Sequence, residues 1–214
     1  MSRHSTTGAV ILAGGLARRM GGGDKPLLVL SGRTMLDRVA ERIGAQVSSV
    51  ILNANGDPTR FASNGLPVTP DGIPGNAGPL AGILAGLEYF RDHEPGIDAM
   101  VSIAGDTPFF PDDLVETLLG AQRHSGIALA QSGDRVHPVF GLWPVALAED
   151  LRYFLTVEDN RKVLAFVDRH PNARVSFPMA NLGAESIDPF FNVNTPEDLA
   201  KAETILAARE ELPV

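Results

Sequence analysis

Ala9-Val10-Ile11-Leu12-Ala13-Gly14-Gly15-Leu16-Ala17-Arg18-Arg19-Met20-Gly21-Gly22-Gly23-Asp24-Lys25-Pro26 passes directly from an apolar run into a glycine-rich, basic loop. The run from Ala9 to Leu12 is continuous rather than alternating, as expected of a strand buried on both faces of a parallel sheet. Two further runs of this kind follow, from Val50 to Leu52 and from Met100 to Ala104. Helical patterns lie between them. Thr34 and Asp37 have capping-box spacing, and Leu36, Val39, Ala40 and Ile43 share one face before Gly44. Gly78-Pro79 opens a second helix striped by Leu80, Ile83, Leu84 and Leu87, and a third begins near Pro111 with Leu114, Val115, Leu118 and Leu119. Strands alternating with helices predict an α/β fold, a doubly wound and mostly parallel sheet with helices on both faces.

Beyond Gly126 the alternation loosens. Stretches 127–131 and 135–142 read as strands joined around Ser132-Gly133-Asp134, with helices expected inside 145–155 and 161–169. The last helix is marked by Thr195 as N-cap, Pro196 at the first position and Glu197 and Asp198 in the first turn. Leu199, Ala202, Ile205 and Leu206 form its apolar side. No repeat or linker interrupts the chain, so a single domain over residues 1–214 is expected.

The composition narrows the function. Of 214 residues, 44% are hydrophobic and 21% charged, which argues against global disorder. The net charge of −8 argues against a general nucleic-acid binder, which needs a basic face. The chain has no cysteine, so disulfides, thiolate metal sites and a cysteine nucleophile are excluded. From the polar start, Met1 to Gly8, no signal peptide is expected, and no run approaches the ~20 apolar residues of a membrane span. A cytoplasmic protein without membrane attachment is expected.

The loop itself carries the chemistry. It leaves the carboxyl end of the first predicted strand, where open α/β sheets bind ligands. Its five glycines allow close backbone approach, and Arg18, Arg19 and Lys25 put three cations beside them. In an acidic protein this is a local anion site, and the expected anion is a phosphate chain. Two common phosphate motifs do not fit. A P-loop needs Gly-Lys followed by Ser or Thr, whereas this chain reads Asp24-Lys25-Pro26; a dinucleotide fingerprint fails at the same proline.

Asp106 follows the third apolar run and Gly105, and is expected to project into the same crevice. A phosphate chain travels with Mg²⁺, which takes carboxylate and phosphate oxygens, so a carboxylate placed there bears on binding. The alternative is a turn former before Thr107-Pro108. Asn53 and Asp71 stand at predicted strand ends, where an amide and a carboxylate can read base or ribose, or merely shape turns. Gly78-Pro79 offers a helix N-terminus to an anion, or is an ordinary helix start. His137 invites a role as base, but an acceptor that is itself a phosphate monoester, with a second pKa of about 6, would need none. His137 is therefore expected to be structural or substrate-lining, and Trp143 and Phe109-Phe110 core. No Gly-x-Ser-x-Gly elbow is present.

Leu12-Ala13-Gly14-Gly15, Arg19-Met20-Gly21 and Asp24-Lys25-Pro26-Leu27 resemble the signature of nucleotidyltransferases with a glycosyltransferase-A-like, three-layer fold. Within that group the chain is similar to the molybdenum cofactor guanylyltransferases. Val50 to Asn55, Gly78-Pro79-Leu80-Ala81-Gly82, Gly105-Asp106-Thr107-Pro108 and Phe191 to Glu197 recur there in this order. Gly14, where cytidylyltransferase relatives carry alanine, favours guanine. The resemblance implies transfer of GMP from GTP to the terminal phosphate of molybdenum-molybdopterin, with Mg²⁺ as cofactor; CTP or another phosphorylated acceptor is the alternative. It implies GTP contacts at Leu12, Ala13, Gly14, Gly15, Lys25, Asn53, Asp71 and Asp106. Lys25, Arg19 and Asp106 would be catalytic, with Asp106 also the metal ligand. Gly22, Gly78, Gly82, Asn192 and Asn194 are candidates for the acceptor, with Asn192 and Asn194 alternatively helping the metal or shaping a turn. The nucleotide half then spans about 1–125 and the acceptor half about 126–214. A cofactor-insertion protein would deliver the acceptor, and molybdoenzymes or their chaperones would receive the product. A catalytically silent nucleotide-binding module is the rival from another class.

Overall fold

The computed structural model describes residues 7–14, 24–74, 78–121, 126–182 and 185–210. In chain order they form β1 (Thr7–Leu12), β2 (Val29–Leu30), β3 (Arg33–Thr34), α1 (Met35–Gly44), β4 (Ser49–Asn53), β5 (Val68–Thr69), α2 (Pro79–His93), β6 (Ala99–Ala104) and α3 (Leu114–Ala121). Then come β7 (Ile127–Ser132), β8 (Arg135–Pro144), α4 (Ala148–Thr156), α5 (Val163–Val167), β9 (Asn172–Phe177), β10 (Ala180–Leu182), β11 (Glu185–Ile187) and α6 (Pro196–Glu210). No described helix is long and apolar enough to cross a membrane.

The main sheet has the order β5-β4-β1-β6-β8-β7-β9. β5, β4, β1 and β6 are parallel neighbours; β8 runs antiparallel to β6 and β7, and β9 lies parallel to β7. The mostly parallel sheet read from the apolar runs is therefore present, with β8 its one reversed strand among these seven. β7 and β8 turn through the two residues Gly133 and Asp134, where Gly133 takes φ +52°. Their ladder shifts between Leu129 and Ala130, so that Leu129 faces Gly141 while Ala130 faces His137.

Alternate residues of the central strands feed two cores. Ala9, Ile11, Leu52, Val101 and Ile103 pack with α1 and α3 through Leu36, Val39, Ile43, Leu114 and Leu118. Val10, Ile51, Met100, Leu129 and Trp143 pack with α2, α4 and α5 on the other face. Helices on both faces thus follow from apolar strands that need two covers. α1 starts as its sequence predicts: the Thr34 hydroxyl accepts from Asp37 N at 3.0 Å, and Thr34 N donates back to the Asp37 carboxylate at 3.2 Å. α2 departs from the predicted single stripe, because every residue from Leu80 to Leu87 is buried. Gly82 and Gly86, one turn apart, let its backbone lie directly on the sheet. A β-carbon at Gly86 would meet Met100 Sδ at 2.6 Å and Val10 Cβ at 2.9 Å. A third cluster, Leu30, Met35, Phe109, Ile187, Val193, Ala202 and Ile205, seats α6.

Candidate active site

The register places Leu12, Asn53 and Ala104 level at the carboxyl ends of three parallel strands. The chain leaving each strand is tied to its neighbour. Ala13 N donates to Asn53 O at 2.9 Å, and Gly105 N donates to Leu12 O at 3.0 Å. Gly105 is needed here, since a β-carbon would stand 3.1 Å from the Pro26 ring and 3.3 Å from Leu12 O. Pro26 thereby presses the Asp24-Lys25-Pro26 turn against β6, and Lys25 arrives next to Asp106.

Lys25 Nζ donates to Asp106 Oδ2 and to Asn194 Oδ1, each at 2.5 Å. The lysine is 7% exposed. Around the other carboxylate oxygen, Thr107 Oγ1 donates at 3.2 Å and Asn192 Nδ2 at 3.3 Å. Val193 N donates to Asp106 O at 3.0 Å, which fixes the segment bearing both asparagines. Two residues 81 positions apart and a third 169 positions from the lysine therefore meet at one point. Asp106 Oδ2 and Asn194 Oδ1 converge on a single cation position, now taken by the ammonium. That donor set, a carboxylate and an amide oxygen, suits a hard divalent cation. No group of three or more His, Cys, Asp or Glu able to hold a metal occurs among the described residues.

A second cluster lies on the β4 side. Asn53 Nδ2 donates to Asp71 Oδ1 at 3.0 Å and to Thr69 O at 3.2 Å; Asn55 Nδ2 donates to Asp71 Oδ2 at 2.8 Å. Asp71 N in turn donates to Asn55 Oδ1 at 2.9 Å. Both oxygens of Asp71 are thus oriented by amides, with lone pairs left for a further donor. Asn53 is buried, and Gly82 makes room for it: a β-carbon there would sit 2.2 Å from Asn53 Oδ1 and 2.7 Å from Leu12 Cδ2. Gly82 thus packs beneath Asn53, while Gly78, with φ +69°, is exposed at the start of α2. Gly14 is exposed, and a β-carbon there would meet no atom of the described residues within 4 Å. Arg19, Gly15 and Gly22 lie outside the described residues.

Sequence reasoning did not single out Asn55 or Arg60 as site residues. Asn55 has the same residue type two positions after Asn53, which is a weak signal; Arg60 has none. His137 is buried beside Phe190, their ring centroids 4.5 Å apart. Its Nε2 lies 2.6 Å from Ser132 Oγ, and that hydroxyl is 2.9 Å from Asp188 Oδ1. A serine has one proton and a carboxylate can only accept, so Ser132 donates to Asp188 and accepts from His137 Nε2–H. The serine stands between histidine and acid, so its oxygen is not an activated nucleophile. Asp188 also accepts from Phe190 N at 2.9 Å, at the head of the segment that carries Asn192 and Asn194. The structural reading of His137 is the one the geometry supports.

Burial holds the His137 pKa below the usual histidine range; the Asp188 carboxylate opposes that shift and Arg135 adds to it. The unfolded chain therefore takes up this proton near pH 6.5, before the folded protein does. The stability this contributes is complete above about pH 6.5 and is lost as pH falls towards the folded pKa. Urea midpoints at pH 7.5 and 5.5 check this: His137→Gln should lose less stability between them than the wild type. An equal or greater loss in the variant would contradict it.

The Lys25–Asp106–Asn194 cluster and the amide-held Asp71 lie at the carboxyl ends of the parallel strands, where open α/β sheets bind ligands. A family model for the MobA-like NTP transferase domain matches residues 9–174. A molybdenum cofactor guanylyltransferase of Bradyrhizobium sp. (strain ORS 278) is 55% identical over 212 residues, 97% of each chain. One from Rhodopseudomonas palustris (strain BisB5) is 51% identical over 207 residues, 96% of each chain. The crystal structure of molybdopterin-guanine dinucleotide biosynthesis protein A from Archaeoglobus fulgidus is 25% identical with a TM-score of 0.70, over 94% of this chain and 99% of that one. The chain belongs to the MobA-like NTP transferase family, among the molybdenum cofactor guanylyltransferases.

Proposed function

We propose that the protein transfers GMP from GTP to the terminal phosphate of molybdenum-bound molybdopterin, forming the guanine dinucleotide cofactor and pyrophosphate. The family membership supports the reaction, and the observation that carries the site is the meeting of Lys25 with Asp106 at 2.5 Å beside the end of the glycine-rich loop. An oxygen of the acceptor phosphate attacks the α-phosphorus; the new P–O bond forms as the bond to pyrophosphate breaks. The acceptor is already largely dianionic at pH 7, its second pKa being about 6, so no residue has to remove a proton. That agrees with the burial of His137 away from any such task.

Lys25 supplies positive charge to the triphosphate and the departing pyrophosphate, together with Arg19 from the loop. Leu12, Ala13, Gly14 and Gly15 offer backbone to the nucleotide, while Asn53 and Asp71 read the base. A carboxylate held by two amides accepts both the N1–H and the exocyclic amine of guanine, a donor pair that cytosine lacks. Asp106 and Asn194 are the residues that would hold Mg²⁺. When bound, a divalent cation offsets charge growing on the α-phosphate and pyrophosphate oxygens. Asn192 keeps the Asp106 carboxylate oriented. On the same reading Gly78 and the 192–194 segment border the acceptor, a cofactor-insertion protein delivers it, and molybdoenzymes or their chaperones receive the product. Turnover with GTP and CTP, measured with Mg²⁺ and molybdenum-molybdopterin, tests the assignment. Preference for GTP is expected; preference for CTP would overturn it.

A further inference from the structure

We propose that Arg60 is a positioning residue for the nucleotide, a clamp that fixes the separation between the base-reading and phosphate-holding ends of the site. The proposal rests on the nucleotide reading above. The Arg60 guanidinium pairs through Nε with Asp24 Oδ2 at 3.0 Å, and Asp24 immediately precedes Lys25. Through Nη2 it also donates to the backbone carbonyl of Asn55. Asn55 in turn exchanges two hydrogen bonds with Asp71. One planar cation therefore joins the turn that carries Lys25 to the loop that orients Asp71. A guanidinium suits this task because its donors diverge in a fixed fork, which an ammonium cannot reproduce.

The arginine is itself held in place. It sits on a 3-10 turn, Pro58–Asn64, whose start is capped by the Asp57 carboxylate accepting from Thr59 N at 2.9 Å. The next residue, Phe61, is 1% exposed in the core, and the Arg60 guanidinium lies 4.8 Å from the centroid of its ring. Asn64, at the end of the turn, donates to Asp37 of α1 at 2.6 Å. Gly56 completes the seat: it has φ +85°, and a β-carbon there would stand 3.2 Å from Arg60 Nη1. Asp24 is only 15% exposed, so its charge is paired in a partly dry setting. A free surface arginine would need none of these supports.

The test is steady-state kinetics with GTP and with ITP, which lacks the 2-amino group, on wild type, Arg60→Ala, Arg60→Lys and Asp24→Asn. Thermal midpoints show which variants are folded. Loss of the clamp should raise KM for GTP about fivefold to tenfold in Arg60→Ala, the scale of one lost hydrogen-bonded charge pair. kcat should stay within about twofold, since the reacting atoms are untouched. The preference for GTP over ITP should shrink as Asp71 loses its fixed orientation. Arg60→Lys keeps the charge but reaches one partner, so its KM stays raised; Asp24→Asn gives a smaller rise. If Arg60→Ala does not fold, the last two variants carry the same reading. Unchanged KM and preference, a loss confined to kcat, or full restoration by lysine would each overturn the clamp. A wild type indifferent between GTP and ITP would instead remove base reading by Asp71, and with it the ground on which the clamp stands.

Discussion

Asp106→Ala is expected to lower GMP transfer by on the order of 10²–10³, the scale on which a single preorganised electrostatic group acts. Asp106 has the densest set of partners at the site: Lys25, Thr107 and Asn192 on its carboxylate, and Val193 on its carbonyl. Its negative charge is paired with the Lys25 ammonium at 2.5 Å. Its removal also leaves the buried Lys25 ammonium, among the described residues, with the Asn194 oxygen alone. Removing one partner of a buried ion pair costs about 3–5 kcal/mol. The cost here is smaller, because the Asp106 side chain is 19% exposed. Asp106→Asn separates the two effects. It keeps an oxygen for Lys25 and nearly the same shape, so its thermal midpoint should stay near wild type while turnover still falls by about 10². Near wild-type turnover in a folded Asp106→Asn protein would show that the charge is not needed.

Lys25→Met is expected to cost about 10² in kcat, more than it changes KM. Methionine keeps an apolar stem of similar length but loses the ammonium. On the proposed mechanism the charge needed when pyrophosphate departs is then missing, while the base contacts remain. The double variant Lys25→Met, Asp106→Asn should be little worse than the weaker single variant, because on the proposed mechanism the two contacting side chains act on the same phosphates as one unit. Multiplicative losses would show that they serve separate steps. Product formation measured under saturating GTP gives kcat directly, and a titration of GTP gives KM.

The parts of the fold legible in the sequence were those set by local chemistry. Continuous apolar runs marked β1, β4 and β6 because parallel strands are covered on both faces. Thr34 and Asp37 announced α1 because their capping box closes within three residues. The Ser132-Gly133-Asp134 turn announced the β7–β8 pair. The convergence of Lys25 with Asp106 was legible too, since both leave carboxyl ends of strands in one parallel sheet. β9 was not seen: Asn172-Ala173-Arg174-Val175-Ser176-Phe177 mixes polar and apolar residues at the edge of the sheet. The shift in the β7–β8 ladder, and the burial of α2 all round, depend on packing partners far away in sequence. Arg60 illustrates the same limit. Its partner Asp24 lies across β2, β3, α1 and β4 in the chain, and no local pattern connects them. The family likeness named the expected contacts, but only the coordinates show that Gly82 makes room for Asn53 and that Asn55 helps hold Asp71.

The most direct measurement is a crystal structure of the protein with a non-hydrolysable GTP analogue and Mg²⁺. The triphosphate is expected between Lys25 and Asp106, with Asp71 against the base edge and Lys25 drawn from Asn194 to the phosphates. A nucleotide bound elsewhere, or a triphosphate that touches neither Lys25 nor the ion at Asp106, would contradict the account.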